Sequence, residues 1–112
     1  MSSSARVTPW DFAEAPTEAA LRRLMAEEGL DPYVWSNGPG DVYAAHSHTY
    51  NKVIYVVRGS IEFGLEESVA AIHELPLRIV LHAGDRLDLA AGVVHDAVVG
   101  QDGAVCLEAH RD

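Results

Sequence analysis

Between Gly40 and Ala109 the chain alternates short β-favouring runs with glycine-bearing turns and carries no interleaved helical pattern. Lys52 to Val57 and Ile61 to Leu65 are nearly continuous apolar runs, followed by Leu77 to Leu81, Arg86 to Leu89 and Ala104 to Ala109. Runs of this kind fit strands covered on both faces. The clusters Ser36-Asn37-Gly38-Pro39-Gly40 and Ala83-Gly84-Asp85 are turn signals. Many short strands with regular turns predict an all-β antiparallel sandwich or barrel. Glu66 to Pro76 is longer than a tight connection needs and predicts a long hairpin or an excursion from the sheet.

The N-terminal quarter reads differently. From Thr17, a natural N-cap, Leu21, Leu24 and Met25 recur at helical spacing and Gly29 ends the pattern, which predicts one short α-helix ahead of the barrel. Met1 to Pro16 shows little periodicity, although Trp10 and Phe12 predict that part of this arm lies against the barrel. The expected division is therefore residues 1–32 as arm and helix and residues 33–112 as the β-barrel. With 112 residues, there is room for one domain and one core.

Charge and composition narrow the function. A formal net charge of −9 leaves no basic stripe to displace counterions from a phosphate backbone, so nucleic acid is not an expected partner. No apolar stretch is long enough to span a bilayer, and the opening Met-Ser-Ser-Ser-Ala-Arg lacks the apolar run of a secretory signal. A soluble, cytoplasmic protein is the expectation. Cys106 is the single cysteine and excludes an intrachain disulfide; in an apolar run with no base beside it, it reads as a buried small hydrophobe.

The chemistry-bearing residues are histidines. On a strand, His46 and His48 would project from one face and offer two imidazoles to one ion, with His95 as a third. His95 shares parity with Val93, Ala97 and Val99, whose small side chains would leave an open apolar interior around it. Neutral imidazoles suit zinc, iron, nickel, copper or manganese, and three of them leave positions open for water or a ligand. His73, His82 and His110 lack this framing and are expected to be structural.

Glycines frame the histidines at fixed intervals. Gly40, His46, His48 and Gly59 follow G-x5-H-x-H-x3-4-E-x6-G, and Gly84, Gly92 and His95 follow G-x5-P-x-G-x2-H-x3-N. The chain thereby resembles the cupin family over about half its length. Lys52 stands at the glutamate position, Ala90 at the proline and Val99 at the asparagine. The resemblance implies a double-stranded β-helix or jelly-roll barrel, a divalent metal on His46, His48 and His95, and a homodimer. It also implies dioxygenase, isomerase or lyase chemistry, or a non-catalytic module that binds or senses a small molecule. A fold that hosts many chemistries does not choose among these.

Lys52 is the only lysine, set where the family places a ligand carboxylate. An ammonium about 4 Å from a divalent ion is repelled by about 8 kcal/mol at an effective dielectric of 20. Lys52 must therefore extend to the mouth, lose its proton, pair with a carboxylate such as Glu62 or Glu108, or hold an anion against the metal. The last option predicts a pocket for a small carboxylate or enolate, with Lys52 as ligand-binding or catalytic residue. Tyr50 shares the site's parity and is a second ligand-binding candidate, whereas Tyr55 has the opposite parity and is expected in the core or an interface.

Overall fold

The computed structural model describes residues 4–111. Two long strands organise it: β4 (Asn51–Leu65) and β7 (His95–Arg111), labelled by their order among the strands β1 (Ala5–Thr8), β2 (Tyr33–Asn37), β3 (Val42–His46), β5 (Arg78–His82) and β6 (Arg86–Leu89). β4 and β7 pair antiparallel along their whole length, with register shifts between Val56 and Arg58 and between Gly59 and Ile61. These bulges fold the ribbon across its middle and change the inward parity, so that Ile54 and Val56 before them, and Ile61, Phe63 and Leu65 after them, all enter one core.

Each half of the ribbon recruits its own neighbours. The first half of β4 pairs with β6, which pairs with β1, while the second half of β7 pairs with β2. On the other side of the fold, β5 joins the second half of β4 and β3 joins the first half of β7. The two layers close over a core of Ile54, Val56, Ile61, Phe63, Leu81, Leu87, Val99 and Cys106. One expectation needs correction here. The strand order runs β1-β6-β4-β7-β2, and β2 and β3 both pair with β7 rather than with each other, so the sheet does not close into a true barrel.

Helix α1 (Glu18–Glu27) covers the outer face of the first layer. The Thr17 hydroxyl accepts the Ala20 N–H at 3.1 Å, which caps the helix. Leu21 and Met25 then pack on Val53, Tyr55, Val57, Leu107 and Ala109, the positions of β4 and β7 that face away from the main core. This explains why those runs lack alternation: both faces are covered. Arg86 and Arg111 pair with Glu28 just past the helix, and Arg86 holds that carboxyl down to about 2 against the cost of burial.

Other expectations shift in detail. The arm read as aperiodic contains β1, and its residues 1–3 lie outside the described part. Trp10 packs against the helix-side core, while Phe12 is exposed, its ring tilted against Trp10 at 4.8 Å. The excursion after Leu65 is helix α2 (Glu67–Ile72), which buries Val69 and Ala70. The last strand begins at His95 rather than at Ala104.

The fold of the ribbon depends on Gly59. Its φ of +78° suits glycine, and a Cβ there would strike the Gly103 carbonyl across the strands. Gly59→Ala is expected to lower stability by about 2–4 kcal/mol, read from urea unfolding.

Candidate metal centre

The three framed histidines converge, by a route different from the one the spacing predicts. β3 ends at His46, and His48 lies beyond it in the bend that leads to β4. The two are therefore not same-face residues of one strand. His46 instead meets His95 directly across β3 and β7. His48 is placed by its carbonyl, which accepts the Gly92 N–H at 2.8 Å, and Gly92 turns there with a φ of +85°. Asn51 adds a second tie, its Oδ1 accepting the Ala91 N–H at 2.8 Å.

The donor nitrogens of His46, His48 and His95 lie within 4.8 Å of one another. The Nδ1 of His46 is 2.6 Å from the Ala44 carbonyl and that of His95 is 2.9 Å from the Val93 carbonyl. With Nδ1 donating to a carbonyl, Nε2 keeps its lone pair, the tautomer and orientation that metal-ligating histidines use. The donor set thus fits a divalent ion.

Burial favours the neutral, metal-binding form of His48 and His95. It is the main cause that lowers His95 to about 4, and it lowers His48 too, where Lys52 adds to the effect. A buried histidine with a lowered pKa supports the fold fully above its unfolded value, about 6.5, and less as pH falls toward its folded value. The metal-free protein is therefore expected to lose up to about 3 kcal/mol of stability between pH 7.5 and pH 4, measured as the urea unfolding midpoint.

Lys52 does not reach for solvent. It is 7% exposed, with Nζ 3.0 Å from His48 Nε2 and 3.6 Å from Glu108 Oε1. Burial lowers its pKa, and Glu108 acts in the opposite direction. Glu108 also accepts the Tyr33 hydroxyl and, at 3.2 Å, the Trp35 indole N–H. Of the two carboxylates the sequence offered, Glu108 is the partner; Glu62 pairs with Arg78, which also holds Asp96. The Tyr50 hydroxyl lies 3.2 Å from His48 Nδ1, and its ring stacks on His110 at 3.7 Å. A continuous polar chain thus runs from Tyr33 through Glu108, Lys52 and His48 to Tyr50.

These groups line a cavity of about 330 Å³ with Ile54, Ile61, Phe63 and Ala97 on its apolar side, a size suited to a small-molecule ligand. Tyr33, Trp35, Asn37 and Tyr43 complete the wall. The sequence reading did not place these four in the site, although the alternation of Tyr33, Trp35 and Asn37 along β2 is a signal that they share a face. Tyr55 lies outside, against α1 and beneath Arg86. Cys106 is buried in the main core, its thiol pushed up to about 12 by burial, which suits packing rather than nucleophilic attack. Among the described residues, no helix is long and apolar enough to cross a membrane.

Solved structures share this arrangement of strands. A cupin superfamily protein from Desulfitobacterium hafniense covers 95% of this chain and 75% of its own, at a TM-score of 0.58 and 10% identity. The chain shares the cupin fold. The chain is also similar to DMSP lyases: a structure of RdDddP and RnDddQII at a TM-score of 0.62 and 25% identity, and DddQ from Ruegeria pomeroyi at 0.61 and 23%. Both likenesses cover 74% of this chain and 38% of the lyase chain, so it spans well under half the length of those enzymes. No family model matches the sequence, and no curated protein does.

Proposed function

We propose that this cupin holds a divalent metal on His46, His48 and His95 and binds beside it a small carboxylate or enolate, whose charge Lys52 meets. The observation that carries the reading is the placement of a buried lysine against the histidine cluster. A metal on three neutral histidines keeps its full double charge, and the adjoining ammonium adds another, so the cavity favours an anion. When bound, the metal would supply Lewis-acid polarisation of the ligand's oxygen. Lys52, steadied by Glu108, would orient that oxyanion and exchange a proton with it. Ile54, Ile61 and Phe63 would give the ligand an apolar wall to pack against. Among reaction classes, the likeness to DMSP lyases supports lyase chemistry.

Calorimetry on zinc-loaded protein with a panel of small monocarboxylates tests this reading. Binding is expected, weakened at least about tenfold in Lys52→Met. No heat from any member of the panel, or an unchanged affinity in the variant, would sink it.

One contact favours a second reading. Lys52 Nζ faces the Nε2 that an ion on His48 would need, which suits a metal-free binding pocket in which the ammonium stands in for the ion. Metal analysis of untagged protein purified without chelator separates the two. Near-stoichiometric metal that disappears in His46→Ala supports the first reading, and no metal after reloading supports the second. We place the protein in the cytoplasm as a homodimer that covers the free edges of β2 and β3, where Val34, Val42 and Tyr43 are exposed. Light scattering on the eluting protein gives its mass.

A further inference from the structure

We infer that Tyr50 is a positioning residue of the metal centre, whose hydroxyl holds the His48 ring in the tautomer and orientation that present Nε2 to the ion. This inference rests on the metal-binding reading above and gives Tyr50 a task other than contact with the ligand.

His48 needs a support that the other two histidines do not. His46 and His95 face each other in the β3–β7 register, and each ring is fixed by an Nδ1 contact to a carbonyl two residues back. His48 lies in the bend after β3, outside the strand ladder. Its own carbonyl is tied to the Gly92 N–H, which places the backbone and leaves the side-chain torsions open. The group at its Nδ1 is the Tyr50 hydroxyl, at 3.2 Å.

The partners of the ring decide which nitrogen carries the proton. Lys52 Nζ, paired with Glu108, is 3.0 Å from Nε2, and an ammonium is a donor without a lone pair. Nε2 therefore accepts, Nδ1 carries the proton, and Nδ1–H donates to the Tyr50 oxygen. The Nε2 lone pair is the one an ion would take once Lys52 withdraws, so the ring is preset for metal binding. Ligating histidines use their other nitrogen in this way, against a carboxylate, a backbone carbonyl or water. Here a phenol serves.

Tyr50 is itself fixed. Its ring stacks on His110 at 3.7 Å with 28° between the planes, and the Tyr33 and His110 rings stand nearly perpendicular at 6.0 Å. His110 in turn sits on β7 opposite Lys52. The orientation of His48 is thus referred back to the β4–β7 ribbon that organises the fold. His110, expected to be structural, supports a metal ligand at one remove.

Zinc affinity, read by competition with a fluorescent chelator, tests this in Tyr50→Phe, which keeps the ring for its stack and removes the hydroxyl alone. Affinity is expected to fall about 10- to 100-fold, the usual cost of losing the outer partner of a ligating histidine. In a His48→Ala background the same substitution should change affinity by less than about twofold, because the residue it acts through is gone. Nitrogen-15 spectra of the metal-free protein, with His48 assigned by its loss in His48→Ala, should show that ring protonated on Nδ1.

Measurable and equal zinc affinity in native protein and Tyr50→Phe would overturn the assignment, as would a His48 ring protonated on Nε2. An equal loss in both backgrounds would also overturn it, by making Tyr50 a direct ligand of the ion. Failure of the metal reading looks different: zinc binds neither native protein nor Tyr50→Phe, or binds His46→Ala as tightly as native. That outcome removes the ion and with it this task for Tyr50.

Discussion

Lys52→Met is expected to bind a divalent metal at least about 100-fold more tightly than the native protein while losing most of its affinity for small carboxylates. Lys52 Nζ lies 3.0 Å from His48 Nε2, so metal entry must displace an amine from the lone pair the ion needs. If the amine is protonated, the ion must also bear its charge. At about 4 Å and an effective dielectric of 20 that repulsion is about 8 kcal/mol. Movement of the lysine toward Glu108, already 3.6 Å away, relieves much of it. A residue of about 3 kcal/mol still corresponds to a factor of about 100. In Lys52→Met the Glu108 carboxylate loses its cation, which further favours a metal and disfavours an anionic ligand. Competition against a fluorescent zinc chelator measures the first effect and calorimetry the second. Unchanged zinc affinity would mean that Lys52 is no competitor of the ion.

The histidine substitutions are expected to separate metal binding from folding. His46→Ala and His95→Ala should each lower zinc affinity by about 10³-fold, since a third neutral ligand is lost in both. Their effects on the metal-free protein should differ. His46 is exposed at the end of an edge strand, so its removal leaves the core intact. His95 is 3% exposed and stands opposite both His46 and Leu65, so its truncation opens a cavity between β3 and β4. A loss of about 2–3 kcal/mol is expected for His95→Ala and under about 0.5 kcal/mol for His46→Ala, both read from urea unfolding without metal. Equal destabilisation by the two would contradict this division of roles.

Much of the fold can be read in the residues. The strand runs are legible because each layer covers both faces of β4 and β7: the even positions of Ile54, Val56 and Cys106 enter the main core, and the odd positions of Val53, Tyr55 and Leu107 meet α1. The cap at Thr17 and the stop at Gly29 act within one turn and depend on nothing distant. β1 escaped notice because four residues whose pairing partner is β6, some eighty positions on, carry no local pattern. The length of β4 escaped for a related reason. Gly59 looks like a turn, yet its positive φ folds the strand without ending its pairing.

The histidines, the lysine among them and the glycine spacing that frames them are properties of the chain alone, and they were enough to name His46, His48, His95 and Lys52 as one site. What the lysine does there was decided by tertiary contacts. Its choice of Glu108 over Glu62 follows from the bulges: they turn Glu62 outward to Arg78 while Glu108, on the other side of the bend, stays inward. The wall of Tyr33, Trp35, Asn37 and Tyr43 comes from two strands that meet only because both pair with β7. Local pattern specifies which residues can form strands and which can bind an ion. Which side chains share a cavity depends on register and on where a ribbon bends, and those are set by contacts distant in sequence.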